Sequence, residues 1–191
     1  MSKLEKRDEI VRSALELIAE HGFHGAPMAM IAEHSKVAAG TIYRYFESKD
    51  VLINELYRDL EKRMYPVILD GYEPDKPIRA RFIHLGTALL SYFIENPLDF
   101  RFLEQYHNSP YGIAHRRDKI LGERGKGDVF CDLFKDGIDQ QVLKEFPLVI
   151  LFGLAFGPQL SIARDHILGF SAIDDALVIR IIEACWDAIK R

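Results

Sequence analysis

An all-α fold, with a small N-terminal head joined to a larger helical body and about nine helices in all, is predicted by three observations. Apolar residues recur at helical spacing from Lys6 nearly to the C-terminus. No segment alternates apolar and polar residues as a half-buried strand does, and no internal repeat or low-complexity tract interrupts the pattern. Turn-forming residues stand between the periodic stretches, and Asp70-Gly71-Tyr72-Glu73-Pro74-Asp75-Lys76-Pro77 is the richest run of them.

The first helix covers Lys6 to Glu20, because Ile10, Ala14, Leu17 and Ile18 share a face and Gly22 stands where a left-handed terminator belongs. Pro27 opens the second helix, which turns Met28, Ile31 and Ala32 inward and ends at His34-Ser35-Lys36. A tight turn from Lys36 to Ala39 leads into a short third helix, Gly40-Thr41-Ile42-Tyr43-Arg44-Tyr45-Phe46. That helix is too short to bury much, so Ile42 and Phe46 are assigned to the core. Its remaining side chains suit a helix that presents polar and aromatic tips to a wide groove such as the DNA major groove.

Ser48 caps a fourth helix with Asp50 in its first turn and Leu52, Leu56, Leu60 and Met64 in one stripe, ending near Pro66. Phe82, Leu85, Leu89 and Phe93 mark a fifth helix, stopped by Asn96-Pro97, and Leu98 to His107 a sixth, stopped by Ser109-Pro110. Gly122, Gly125 and Gly127 separate two weaker helical stretches. Two long apolar helices, Pro147 to Leu168 and Ala172 to Lys190, follow and are joined around Gly169, with Asp174-Asp175 capping or beginning the last.

That last helix is apolar on two faces. Ile173, Leu177, Ile181, Ala184 and Ala188 form one stripe, and Val178, Ile182, Cys185 and Ile189 form another. Two apolar faces need two coverings, which predicts pairing with a second copy of the chain through the first stripe and through Phe152, Phe156 and Leu160 of the preceding helix. Gly153 and Gly157, four apart beside those residues, would admit the approaching helix; in a simple intrachain bundle they would instead admit a bulky side chain.

Composition narrows the class. With 191 residues, 48% hydrophobic and 28% charged, the chain is globular rather than disordered. The longest apolar run, Leu148 to Phe156, is about half of the roughly 20 residues a membrane span needs, and the start has no signal-peptide pattern, so a cytoplasmic location is expected. Cys131 and Cys185 lack partners at metal-ligand spacing and are read as core thiols. No metal or cofactor is expected. The scattered histidines form no Ser-His-Asp, P-loop or HExxH pattern, so no enzyme is expected either.

A net charge of −4 gives no global attraction to nucleic acid, and residues 1–50 carry seven Lys or Arg against eight Asp or Glu. Placement matters more: Lys36, Arg44 and Lys49 bracket the third helix, with Glu47 the only acid between Lys36 and Lys49. A docking surface needs positive charge only where phosphates pass.

The head pattern runs through His21-Gly22-Phe23, Ile31-Ala32-Glu33, Val37-Ala38-Ala39-Gly40-Thr41-Ile42-Tyr43-Arg44-Tyr45-Phe46 and Ser48-Lys49. It resembles the DNA-binding domain of TetR-family (tetracycline-repressor-like) transcriptional regulators over residues 6 to 60. The resemblance implies a homodimeric regulator, in most members a repressor, whose head binds a palindromic operator and whose body binds an inducing small molecule. By position it places DNA contacts at Ala39, Gly40, Thr41, Tyr43, Arg44, Tyr45 and Lys49, to which Lys36 is added as the turn lysine. Thr41 has the reach for a phosphate or a thymine methyl, Tyr43 for a phosphate, Arg44 for a phosphate or a guanine edge. Lys49 stands at the start of helix four, where a phosphate is favoured. The chain departs from the family at Ala26-Pro27-Met28, where a Ser or Thr cap is usual, so contacts from helix two are limited to backbone amides.

The body is rich in aromatic residues, and most are core. The expected ligand-lining set is Phe82, Leu85, Leu89, Tyr92 and Phe93, then Phe102, Tyr106 and His107, then Phe130, Phe134, Phe156 and Gln159. A largely apolar effector suits that set. Arg116, Arg117 and Lys119 are read as a solvated helix face, with an anionic head group as the alternative partner. The expected domains are residues 1–47, a helix-turn-helix DNA-binding head, and 48–191, a ligand-binding and dimerisation body. The expected function is a regulator released from operator DNA by a small molecule; the alternative is a small-molecule-binding protein whose head docks on protein.

Overall fold

The computed structural model describes residues 3–121 and 127–191; Gly122 and Gly125 lie outside the described residues. Ten helices make up the described chain: α1 Lys3–Gly25, α2 Met28–His34, α3 Ala39–Tyr45, α4 Lys49–Ile68, α5 Ile78–Glu95, α6 Pro97–His107, α7 Pro110–Leu121, α8 Val129–Asp139, α9 Leu148–Ile167 and α10 Asp175–Ile189. No strand occurs among the described residues, and the one isolated bridge pairs Leu143 with Lys190. The expected all-α class holds.

Local signals place the helix ends. Ser48 Oγ accepts the Val51 N–H at 3.2 Å to start α4, and Asp174 Oδ1 accepts the Leu177 N–H at 2.8 Å to start α10. Asp128 does the same for α8 by accepting from Phe130 and Cys131. Pro66 lies inside α4, which runs on to Ile68, because a proline in the last turn removes one ladder bond without blocking the next residues. Gly22 interrupts α1 at φ 72°, ψ 175°, after which one more turn reaches Gly25. Those angles belong to a region open essentially to glycine alone, so Gly22→Ala is expected to cost about 1–3 kcal/mol. A denaturant melt checks this directly.

The chain divides into two compact units. The first joins residues 1–63 to 96–113, and the second joins 64–95 to 114–191. In the first unit α1 packs chiefly on α6 and on α2, and α2 on α3. Its core is Ile10, Ala14, Ile18, Ile31, Ile42, Phe46, Leu52 and Phe102. Arg7 of α1 clamps α4 through Glu55 (2.5 Å) and Asp59 (3.5 Å), with its guanidinium 5.6 Å from the Phe46 ring centroid. Tyr106 of α6 stacks on Tyr57 of α4 at 4.0 Å between centroids, a contact worth about 0.5–1.5 kcal/mol beyond its burial.

In the second unit α10 lies against α5 and α9, and α8 against α5 and α9. The interior is aromatic: Phe156 meets Phe82, Phe130 and Phe134 at 6.0, 5.2 and 5.8 Å, and Trp186 meets Phe82 at 5.6 Å. The two stripes of α10 are resolved by this packing. Val178, Ile182, Cys185, Trp186 and Ile189 are buried, while Leu177, Ile181 and Ala188 are half-buried and Ala184 is exposed. The helix α9 is longer than its apolar run suggests, and its 20 residues have the length and composition of a membrane-crossing helix. One face of it nonetheless sits in the core of the unit, through Leu151, Ala155, Phe156, Gln159 and Ala163.

Candidate nucleic-acid interface

The helix-turn-helix geometry follows from a few buried side chains. Ile31 and Ala32 of α2 and Ile42 of α3 lie in the core, and Ser35, itself buried, ends α2 by donating from Oγ to the Ile31 carbonyl at 2.7 Å. Lys36 then takes a left-handed backbone conformation at φ 55°, and the Val37 N–H returns to the Ala32 carbonyl at 2.9 Å. The turn is tight for this reason. Phe46 closes α3 from below by packing into the core at 0% exposure.

With Ile42 and Phe46 turned in, the opposite face of α3 turns out. Ala39, Gly40, Tyr43 and Arg44 are exposed, Thr41 and Tyr45 are half-buried, and Lys36 is exposed beside them. Tyr43 shows 56% of its surface. Among the described residues the side chains of Tyr43 and Arg44 have no hydrogen bond, ion pair or ring contact within the chain. An exposed aromatic and an exposed guanidinium without an internal task are the side chains a groove would receive.

Lys49 differs. Its ammonium donates to the Phe23 carbonyl at the end of α1 and its side chain is half-buried, which lowers its pKa through desolvation, with Asp50 opposing. The residue therefore fastens α4 to α1 as well as placing a cation at the start of α4. Lys49→Met is expected to lower the stability of the head by about 1 kcal/mol through the lost hydrogen bond. Chemical denaturation followed by far-UV circular dichroism reads that change, and an unaltered midpoint would show the bond to be idle.

The residues expected to line a ligand site divide between the units. Phe102, Tyr106 and His107 stand in the first unit. There Phe102 meets Phe23 edge-on at 6.2 Å, Tyr106 is spent on Tyr57, and His107 is exposed. Phe82, Leu85, Leu89, Tyr92, Phe93, Phe130, Phe134, Phe156 and Gln159 are all buried in the second. Phe156, also expected at the dimer contact, is enclosed by four phenyl rings of its own unit, those of Phe82, Phe130, Phe134 and Phe152, and is buried. Phe152 and Leu160 are half-buried.

Tyr65 and Asp128, which sequence reasoning passed over, form a cluster in the second unit with Lys119, which the sequence assigns to a solvated helix face. Lys119 Nζ lies 2.7 Å from Asp128 Oδ2 and donates to Tyr65 Oη at 3.0 Å, and Tyr65 Oη donates to Asp128 Oδ2 at 2.9 Å. Lys119 thus points inward, away from exposed Arg116 and Arg117, and lies 5.8 Å and 5.9 Å from the Tyr65 and Phe130 ring centroids. Burial pushes the Tyr65 hydroxyl up to about 12. The aromatic-Lys-acid composition carried no local sequence signal, because the three residues come from α4, α7 and the cap of α8.

The α9 face turned away from the core carries Val149, Ile150, Gly153, Leu154 and Gly157, all exposed. A Cβ added at Gly153 or Gly157 would meet no atom within 4 Å. Nothing among the described residues requires these glycines.

A two-unit, all-helical molecule whose head shows a helix-turn-helix with an outward polar and aromatic face defines the class of helix-turn-helix transcriptional regulators. Residues 10–56 match the family model for bacterial regulatory proteins of the tetR family, and residues 77–190 match that for a tetracyclin repressor-like C-terminal domain. The chain belongs to the TetR family. It is similar along its whole length, at 24% identity and 98% of the relative's length, to an HTH-type transcriptional regulator of Haemophilus influenzae. A solved TetR-family protein of Vibrio parahaemolyticus is 32% identical, covers 97% of this chain and 99% of its own, and superposes with a TM-score of 0.77. The transcriptional regulator FadR of Bacillus subtilis, solved in complex with stearoyl-CoA, shares the fold at 18% identity and a TM-score of 0.73, over 95% of this chain and 98% of its own.

Proposed function

We propose that the protein is a homodimeric repressor, released from a palindromic operator by a small, largely apolar effector. The observation that carries the DNA reading is the outward face of the turn and α3, where local structural preference is violated twice. Lys36 holds a left-handed conformation that glycine adopts at lower cost, and Gly40 sits in the first turn of a helix with no atom within 4 Å of where its Cβ would be. The fold would be better served by the reverse arrangement. A duplex supplies the reason: it attracts the Lys36 ammonium and needs the bare backbone at Gly40 for close approach. Thr41, Tyr43, Arg44 and Tyr45, with Ala39 beside them and Lys49 at the flank, complete the contact surface of a head taken as residues 1–47, with Lys49 just beyond it.

The dimer reading rests on the α9 face. Ile150, Gly153, Leu154 and Gly157, with the half-covered stripe of Ile173, Leu177, Ile181, Ala184 and Ala188 on α10, form an apolar surface that a second copy would cover symmetrically. Two heads then meet half-sites about one helical turn of DNA apart or a multiple of it. The helix α4, Lys49–Ile68, is the lever by which an effector in residues 48–191 would change that spacing. Support for an apolar effector comes from the phenyl-rich interior of the second unit and from the acyl-CoA held by the structurally similar FadR.

A mobility-shift assay with the DNA upstream of the chain's own gene tests this, together with mass spectrometry of gently purified protein for a bound molecule. Lys36→Gly and Gly40→Ala are each expected to raise the melting temperature slightly, by up to about 1 kcal/mol of stability, and yet to weaken operator binding. Stabilised variants that bind DNA as well as the parent would remove the DNA reading and favour a head that docks on protein.

A further inference from the structure

One polar atom inside the second unit has no role in holding the fold together. Gln159 lies on the inner face of α9 at 0% exposure. Its Nε2 donates to the Ala155 carbonyl at 2.8 Å, and the amide opposes the upward push that burial gives the Cys185 thiol of α10. The carbonyl oxygen Oε1 is shut off from solvent and has no partner. Rotating the amide brings no relief, because Oε1 would then face the Ala155 carbonyl with lone pair against lone pair. A methionine would fill the same volume without leaving a buried acceptor unmet.

The surroundings are apolar and close. A Cβ at Gly86 of α5 would stand 3.3 Å from Gln159 Nε2 and 2.9 Å from Ile182 Cγ2, so α5 reaches the glutamine only because that position is glycine. Thr87, the next residue of α5, also buries its hydroxyl oxygen without a partner. One turn back along α9, Phe156 enters the phenyl cluster with Phe82 and Phe130. Few polar atoms in an apolar interior, unused by the fold, are the ingredients of a small-molecule site.

We infer that Gln159 Oε1 is the polar recognition point of the effector site, selecting a mainly apolar ligand that carries a neutral hydrogen-bond donor, such as an alcohol or phenol hydroxyl, over the matching ether or carboxylate. This rests on the effector reading above. An ether has no proton to give the oxygen. A carboxylate would set its negative charge against a carbonyl dipole among apolar neighbours, which costs more than it returns. Since the oxygen is sealed by the packing of α5, α9 and α10, a ligand reaches it by parting those helices, which ties recognition to movement within the unit.

Trp186, the only tryptophan, is buried beside Phe82 on the helix that carries Cys185, and its fluorescence reports occupancy. The full-length protein is titrated with 1-dodecanol, its methyl ether and dodecanoate, and with an octylphenol and its methyl ether. The hydroxyl member of each pair is expected to bind roughly tenfold or more tightly than its ether. In Gln159→Met that preference disappears while ether affinity stays within about twofold. Gln159→Leu serves if the methionine variant folds poorly, and the comparison in the unaltered protein needs no variant.

Equal binding of alcohol and ether, tighter binding of dodecanoate than of dodecanol, or a hydroxyl preference that survives Gln159→Met overturns the inference and leaves the effector reading intact. Absence of binding by every probe, with Gln159→Met more stable than the parent, overturns it too and makes the amide a packing defect. The effector reading itself falls separately, if the molecule recovered from the purified protein leaves operator affinity unchanged in the mobility-shift assay.

Discussion

Arg44→Ala is expected to weaken operator binding by roughly ten- to a hundredfold, the range for losing one guanidinium contact at a base edge or phosphate. The fold should not register the change. Arg44 is exposed at the end of α3 and has no partner among the described residues, so its removal leaves no buried group unmet and the midpoint of unfolding stays within about 0.5 kcal/mol. Fluorescence anisotropy over a range of salt concentrations separates the two contact types. A lost phosphate contact lowers the slope of log affinity against log salt by about one and acts on all sequences alike. A lost guanine contact relaxes preference at one base pair instead. Tyr43→Phe provides the second arm, because it removes only the hydroxyl from a ring that is 56% exposed. If both variants bind as the parent does, the docking surface is not this face of α3.

Asp128→Ala is expected to be the most damaging single change to stability, at about 3–5 kcal/mol, the range for removing one member of a buried ion pair. It strands the Lys119 ammonium, frees the Tyr65 hydroxyl and uncaps α8 in one step. Asp128 and Lys119 have side-chain exposures of 9% and 22%, so water screens little of the loss. Combining Asp128→Asn, which keeps the cap, with Lys119→Met, which removes the stranded charge, is expected to recover most of it. A double variant as unstable as Asp128→Ala would show that the charges themselves, and not their imbalance, support the unit.

The same cluster sets a pH signature. Burial opposes charge on Asp128, but the adjacent Lys119 ammonium overrides it and holds the carboxyl below its usual range. That contribution is therefore complete above the ordinary carboxylate range, about pH 4, and is lost as the pH falls through the depressed value. Tyr65 is raised to about 12 by burial, and Lys119 is raised by Tyr65 and Asp128 against its own burial. Their contributions are complete below about pH 10 and are lost as the pH climbs through the raised values. The buried thiol of Cys131, raised to about 11, begins the alkaline decline earlier, from about pH 8.5. Denaturant melts across pH should show a plateau near neutrality, with the acid flank flattened in Asp128→Ala.

Features that depend on neighbours in sequence were legible in the chain. Gly22 as a helix breaker, Ser48 and Asp174 as caps, and the inward Ile42 and Phe46 of α3 all express contacts within a few residues, where propensity and spacing carry the information. Features that depend on distant partners were not. Phe102 and Tyr106 have the spacing of any core stripe, and nothing local says that their partners are Phe23 and Tyr57 of the first unit rather than the phenyl cluster of the second. Lys119 reads as one cation in a solvated run with Arg116 and Arg117, and its inward turn exists only because Tyr65 and Asp128 converge on it from elsewhere in the chain.

The amino-acid order alone therefore determined an all-helical TetR-family chain, the helix-turn-helix and the outward residues of its third helix, since periodicity, caps and breakers act over a single turn or two. Only the tertiary structure decided which stripe of α10 lies inside, which aromatic rings share a core, where Lys119 points and that Gln159 keeps an unmet acceptor. Burial and buried polar pairing are properties of groups brought together across the chain, and short-range patterns are equally compatible with either arrangement.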